Sequence, residues 1–308
     1  MKALLTTGPA GPGLAFAEAP EPTPASNEVL VALTATSLNR GEVSHLAEES
    51  PGTLLGWDVV GTVTTRAADE SGPDTGTRVV GIVDAGGWAE RVAVPTHALA
   101  AIPDDVSDAA AAVLPIAGLT AWRALELGGL LLGSRVLVTG ASGGVGRLAV
   151  QLAALAGAHV TAVVGRPERR SGLVKLGAHD VVVGIDAATG PYDVILESVG
   201  GQSMRTASEI LAPEGVLVSY GRSSGEDAAI DPYWFGGHSG ARIEGLLVFT
   251  EVARRRLGTQ QLERLLALMA SGRLDPQVSR TASWSDPMPL VQALLDRRID
   301  GKAVLLVD

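Results

Sequence analysis

Residues Val138-Thr139-Gly140-Ala141-Ser142-Gly143-Gly144-Val145-Gly146 decide the fold. They continue an apolar, β-branched run, Arg135 to Thr139, and open a segment, Gly146 to Leu155, that reads as a helix ending at Gly157. Glycines at a strand-to-helix turn permit a tight reversal and close approach of the backbone to a pyrophosphate. The anion then faces first-turn N–H groups and the positive end of the helix dipole. A glycine pattern alone is weak; its position between strand and helix gives it weight.

Three chemistries compete for the loop. Gly140-Ala141-Ser142-Gly143-Gly144 fits the GxSxG elbow of a hydrolase, with Ser142 as nucleophile and Asp231 and His238 in a suitable order. That reading leaves Gly146 unexplained, and no HGGG-type segment precedes the loop. Thr139-Gly140 with Gly144 and Gly146 also spells the TGxxxGxG of short-chain dehydrogenases, which need a tyrosine four residues before a lysine. The residues four beyond Tyr192, Tyr220 and Tyr233 are Leu196, Ser224 and Gly237, so this fails. A dinucleotide loop running from Ala141 through Gly143 to Gly146 accounts for every glycine.

Outward from the loop, strand and helix patterns alternate. Strands are expected at His159 to Val164, Val181 to Val183, Asp193 to Leu196, Val216 to Ser219 and Ile243 to Val248, with helices at Arg169 to Leu176 and Met204 to Leu211. Continuous apolar strands alternating with helices predict an α/β fold, a doubly wound parallel sheet that binds ligands beyond the carboxyl ends of its strands. The first third differs. Short runs at Val29 to Ala35, Val59 to Thr64, Arg78 to Val83 and Ala89 to Val94, punctuated by Pro and Gly, predict a barrel-like or sandwich-like module. An alanine-rich helix is expected from Asp108. The last fifty residues read as helix 260–270, strand 278–283, helix 289–296 and strand 303–307, folding back onto the N-terminal module.

Composition narrows the chemistry. Among 308 residues, 24 basic and 34 acidic side chains leave a net charge of −10, which argues against a nucleic-acid partner. Without cysteine there is no disulfide framework, zinc ribbon, iron–sulfur cluster or thiol nucleophile. The five histidines show no metal spacing. No apolar run approaches the length of a membrane span, and a soluble cytoplasmic protein is expected.

The second strand of a dinucleotide fold ends at a ribose selector: an acid there binds the 2′-hydroxyl of NAD, whereas an arginine accommodates a 2′-phosphate. Here the strand ends Val163-Val164-Gly165-Arg166, followed by Arg169 and Arg170, with Glu168 assigned to capping the next helix. Guanidinium groups pair bidentately with phosphate, so NADPH is the expected cofactor.

Several motifs in order carry a wider resemblance: Ser37-Leu38-Asn39, Gly56-Trp57-Asp58-Val59-Val60-Gly61, Gly86-Gly87-Trp88-Ala89-Glu90, Gly118-Leu119-Thr120-Ala121-Trp122, the glycine loop, Glu197-Ser198-Val199-Gly200-Gly201, and Gly301-Lys302-Ala303-Val304-Leu305. The chain resembles the zinc-free branch of the medium-chain dehydrogenase/reductases, in particular the quinone oxidoreductase (zeta-crystallin-like) group. The resemblance implies a Rossmann-type doubly wound parallel sheet plus a GroES-like β-rich catalytic domain. The GroES-like domain would comprise 1–117 and 254–308 and the NADPH domain 118–253, with the active site in the cleft between them. It implies that Asn39 and Thr120 lie near the nicotinamide. Ser142, Gly143, Gly144 and Val145 would hold the pyrophosphate, and Arg166 and Arg169 the 2′-phosphate. Val199, Gly200, Ser219, Gly221 and Arg222 would line the nucleoside side, and Leu247 to Phe249 would approach the nicotinamide.

The implied function is metal-free hydride transfer from NADPH to a small quinone or α,β-unsaturated carbonyl compound, because without a Lewis acid alcohol oxidation is disfavoured. Enoyl-thioester reduction and dinucleotide binding without turnover are the alternatives. The last strand as a sheet edge implies a homodimer. The sequence departs from the group at Ser44, where a tyrosine often stands, leaving water, His45 or Glu42 as the proton source. Asp58 reads as a structural acid, Arg254 to Arg256 as a solvated helix start. Tyr233-Trp234-Phe235 reads as packing or as lining of the substrate cleft.

Overall fold

The computed structural model describes residues 1–9, 11, 13–231 and 233–308, the side chain of Phe235 excepted. Contacts divide the chain into two compact units, Met1–Leu119 with Phe249–Asp308, and Thr120–Val248.

The first unit opens with a two-stranded antiparallel pair, β1 (Lys2–Thr6) and β2 (Leu14–Glu18). Then come β3 (Glu28–Leu38), the short helix α1 (Arg40–Ser44), β4 (Asp58–Thr65), β5 (Arg78–Ile82), β6 (Arg91–Pro95), β7 (Leu99–Ala101) and α2 (Asp108–Ala111). Alternate residues of β3 are buried along its first half and every residue is buried at its end, as a strand entering a core demands. Gly61 makes the close β3–β4 approach possible: a Cβ there would stand 1.9 Å from the carbonyl oxygen of Ala32. A π-helical turn, Leu114–Gly118, follows α2. Pro115 has no N–H to donate there.

The second unit begins within α3 (Leu119–Gly128) and continues through β8 (Arg135–Val138), α4 (Gly144–Leu155), β9 (His159–Val164), β10 (Asp180–Val183), β11 (Tyr192–Glu197), α5 (Gly201–Glu209), β12 (Leu211–Ser219) and β13 (Arg242–Gly245). Its six strands are all parallel, in the order β10-β9-β8-β11-β12-β13. The chain reverses direction across the sheet between β8 and β11, which is where such folds open a ligand crevice. The chain then returns to the first unit with α6 (Val248–Arg255), α7 (Gly258–Ala270), β14 (Val278–Ser283), α8 (Met288–Leu295) and β15 (Lys302–Leu306). There the larger sheet runs β14-β15-β3-β4-β5-β7, with β6 also on β3. Antiparallel pairing of β15 with β3 sets Ala303 opposite Leu38.

Three local expectations are corrected. The helix expected at Arg169 to Leu176 is a single 3₁₀ turn, Pro167–Arg170: Ser171 is extended (ψ 133°) and Gly172 takes φ +79°, so no helical turn propagates. The last parallel strand stops at Gly245, and Val248 already belongs to α6. Arg254 and Arg255 close α6 instead of opening a helix; cations suit that end of the dipole, and Glu251 pairs with both, at 2.5 and 2.9 Å. The run Asp108–Gly128, from α2 to α3, is 21 residues long and mostly buried inside the protein.

Candidate functional site

In the second unit the glycine loop joins β8 to α4. Gly140 takes φ +57° and accepts the N–H of Gly143 at 2.9 Å. A Cβ at Gly146 would stand 2.4 Å from the Gly140 oxygen and 2.6 Å from Ala141 Cα, so α4 rests directly on the turn. Gly143 is the N-cap, leaving the N–H groups of Gly144, Val145 and Gly146 as first-turn donors without intrahelical acceptors. Ser142 is buried beside them.

Across the β8–β11 divide, Glu197 ends β11 fully buried. It accepts Thr139 Oγ1 (3.2 Å), Ser203 Oγ (2.9 Å) and the N–H groups of Val199 and Gly200 (both 3.0 Å). This carboxylate therefore ties the turn after β11 to the end of β8. The turn after β12 closes on the same place: Ser223 N–H donates to Ser198 at 3.1 Å and Ser224 N–H to Val199 at 2.8 Å. A Cβ at Gly200 would meet Arg222 Cγ at 2.9 Å, and one at Gly221 would meet the Ser198 oxygen at 3.0 Å. Val199, Gly200, Ser219, Gly221 and Arg222 thus form one cluster at the carboxyl edge of the sheet, with Arg222 on Asp227 at 2.9 Å. Arg166 stands two residues beyond β9, after Gly165, and is exposed; Arg169 is half-buried, and Arg170 donates to the Val181 carbonyl at 2.7 Å. Thr120 is buried near the start of α3. Leu247 is 61% exposed.

Sequence reasoning missed two groups here. Glu197 stands in the sequence only as part of a motif, and its role follows from hydrogen bonds with four partners that no local pattern announces. Tyr220, directly after β12, carries a buried hydroxyl with no hydrogen-bond partner among the described residues. Burial pushes this phenol well above its usual range. The only clue in the sequence is its place between Ser219 and Gly221.

The first unit holds a buried polar cluster. Asn39, the N-cap of α1, donates its Nδ2 to Asp58 Oδ2 (2.8 Å) and to Glu42 Oε2 (3.1 Å), and its Oδ1 accepts from Lys302 Nζ (2.6 Å). Lys302 also donates to the Leu38 carbonyl (3.1 Å) and faces Asp58 at 3.5 Å. Asp58 further accepts the Ile116 N–H at 2.8 Å, beside the proline break, and the Ser37 hydroxyl. Glu42 accepts the N–H groups of Asn39 and Trp57, each at 2.7 Å. Burial and the charge of Asp58 push the Glu42 carboxyl up to about 8, against the pull of the Asn39 N–H groups and Lys302. All four side chains are buried, so each ion must be paired and hydrogen-bonded. Both amide hydrogens of Asn39 are used, and toward a ligand the side chain offers only a lone pair on Oδ1.

The remaining expectations have simple positions. His45 is exposed and sits 3.0 Å from Glu48. Trp234 donates to the Ser208 carbonyl at 2.6 Å and stacks on His238, Tyr233 is exposed, and the side chain of Phe235 lies outside the described residues. Phe249, expected after the last strand, belongs to α6 in the first unit and meets Trp57 edge-on. Among the described residues no group of three or more His, Asp or Glu side chains could hold a metal ion.

Two family models match, the alcohol dehydrogenase GroES-like domain over residues 25–104 and the zinc-binding dehydrogenase model over 144–271. The quinone oxidoreductase QR1 of Triphysaria versicolor, a chloroplastic protein, is 32% identical across 95% of this chain and 94% of its own length. The spectinabilin polyketide synthase system protein NorB of Streptomyces orinoci is 34% identical across 96% of this chain. The chain spans 14% of NorB's length, and 8% of the erythronolide synthase EryA2 of Saccharopolyspora erythraea. A solved mycobacterial structure complexed with NADPH superposes with a TM-score of 0.88 at 25% identity, covering 99% of this chain and all of the other.

Proposed function

Because the chain belongs to the quinone oxidoreductase group in the zinc-free branch of the medium-chain dehydrogenase/reductases, we propose that it is an NADPH-dependent reductase of quinones or α,β-unsaturated carbonyl compounds. The observation that carries the cofactor choice is Arg166, two residues beyond the end of β9 and exposed, with no acid at the selector position. Bound NADPH supplies a hydride to the acceptor. With one proton from solvent, the sum is NADPH, H⁺ and quinone giving NADP⁺ and hydroquinone.

The chain's residues bind, orient and exclude water. Ser142, Gly143, Gly144 and Val145 take the pyrophosphate through the first-turn amides of α4. Arg166 and Arg169 take the 2′-phosphate as a charge-assisted pair. Val199, Gly200, Ser219, Gly221 and Arg222 line the nucleoside side, and Leu247 and Phe249 approach the nicotinamide. Asn39 and Thr120 position the reacting ring, Asn39 as an acceptor from an N–H or O–H donor. Glu42 is poorly suited as proton source because N–H groups occupy both its oxygens, which leaves water or His45. In this reading the Asn39 unit is the catalytic domain and Thr120–Val248 the NADPH domain, the exchange points lying at 119/120 and 248/249. A cytoplasmic homodimer, paired along β13, completes it.

Reduction of an enoyl thioester is the second reading, favoured by the similarity to polyketide synthases. Arg166→Ala decides the cofactor assignment: NADPH affinity, read by its fluorescence, falls at least tenfold while NADH affinity changes less than twofold. Equal losses refute it. Loss of NADPH absorbance with 1,4-benzoquinone, set against crotonyl thioester, separates the two acceptor classes.

A further inference from the structure

The buried Glu42 side chain has a second attachment with its own consequence. Its Oε2 holds the Asn39 N–H and its Oε1 the Trp57 N–H, each at 2.7 Å, so one side chain fixes the backbone of both residues. The Trp57 carbonyl is fixed as well, accepting the Val83 N–H at 3.0 Å. Gly56 before it takes φ +103°, where a Cβ would stand 2.4 Å from Trp88 N. Trp57 therefore has a backbone with almost no freedom.

The indole is equally confined. Its six-membered edge lies against Gly41 on α1, two residues after Asn39: a Cβ at 41 would stand 2.8 Å from Cη2 and 3.0 Å from Cζ3. Phe249 braces it edge-to-face, with ring centroids 5.1 Å apart and planes at 72°. Yet both rings are only half-buried, whereas Trp88 and Trp284 are core residues. A rigid, electron-rich indole left partly open beside Asn39 is a preorganised surface, and stacking on it costs little conformational entropy.

We propose that Trp57, seated on Gly41 and braced by Phe249, is a specificity-determining residue that stacks planar, conjugated ring acceptors beside Asn39. This rests on the reductase reading and narrows it: ring quinones and cyclic enones are favoured over open-chain enones. An electron-poor quinone ring offset over the indole face gains about three- to tenfold in binding over a flexible acceptor.

The test uses the purified chain with NADPH and reads the ratio of kcat/KM for 1,4-naphthoquinone to that for 3-penten-2-one. Trp57→Leu lowers this ratio about tenfold, through the KM for naphthoquinone, and Trp57→Phe lowers it less than threefold. Gly41→Ala, which keeps the indole but places a methyl group under it, moves the ratio in the same direction as Trp57→Leu. A ratio within twofold of wild type in both Trp57→Leu and Gly41→Ala overturns the proposal. If the wild-type chain oxidises NADPH with neither acceptor, the reductase reading fails separately, and naphthoquinone quenching of tryptophan emission then decides. Binding at least fivefold weaker in Gly41→Ala supports the stacking surface, and unchanged binding removes it.

Discussion

Lys302 ties three buried groups together. Its three donors meet the Leu38 carbonyl, Asn39 Oδ1 and Asp58, all in a buried setting. Removing one partner of a buried pair leaves the other charge uncompensated, at about 3–5 kcal/mol. Lys302→Met is therefore expected to lower unfolding free energy by that order in urea titrations. Adding Asp58→Asn should restore part of it; full additivity of the two losses would show that they are not coupled. Glu42 gives the cluster a pH signature. Its folded pKa, about 8, lies above the ordinary 4.5, so between these values the native state holds a proton that the unfolded chain has released. This contribution to stability is complete below about 4.5 and declines as pH rises through 8, by about 1.4 kcal/mol per pH unit inside the window. Glu42→Gln starts less stable, because its amide meets N–H groups, but its stability should lack that slope in denaturation series across pH 5 to 8.

At the scale of elements, the seat of α4 on the β8 turn is the most exacting contact. Gly146→Ala puts a methyl group 2.4 Å from the Gly140 oxygen, where backbone, not a flexible side chain, must yield. Dinucleotide affinity is expected to fall at least tenfold, with retained far-UV circular dichroism showing that the strands persist. Wild-type affinity would mean that α4 can slide along its axis without cost. Elements with strong apolar runs between breakers were legible in the sequence: β9 and β14 have the expected ends, and β3, β4 and α7 extend by a few residues. The 3₁₀ turn after Arg166 was not, because one extended serine and one glycine overrode a helical composition. The arginines of α6 were read from the wrong end, since charge alone does not say which terminus it serves. The grouping of Gly200 with Arg222 was implied by the family resemblance and not by any local pattern. By contrast, the joining of Asn39, Asp58 and Lys302 depends on β15 pairing with β3, a contact across 263 residues that no window of sequence contains.

For the whole molecule, the second unit supplies the proposed pyrophosphate, 2′-phosphate and nucleoside contacts, so cofactor binding should stabilise it by mass action, about 2.7 kcal/mol at a hundredfold excess over Kd. NADPH should raise the melting temperature measurably at concentrations where NADH does not, and Arg166→Ala should remove the difference. The proposed dimer has its own check. β13 is the unpaired end of the six-stranded sheet, with Ile243 exposed on it. Ile243→Lys should shift the mass by light scattering from dimer to monomer; an unshifted dimer would place the interface elsewhere. The distance in sequence between Asn39 and Lys302 also has a consequence in time. A ribosome makes Asn39, Glu42 and Asp58, then the whole of Thr120–Val248, before it reaches β15. At roughly 5–20 residues per second, the acids wait on the order of ten seconds to a minute for their counter-ion, while β3 lacks one strand neighbour. The nascent first unit is thus an unfinished sheet whose acids still lack their cation, while the second unit is already complete in sequence and free to fold.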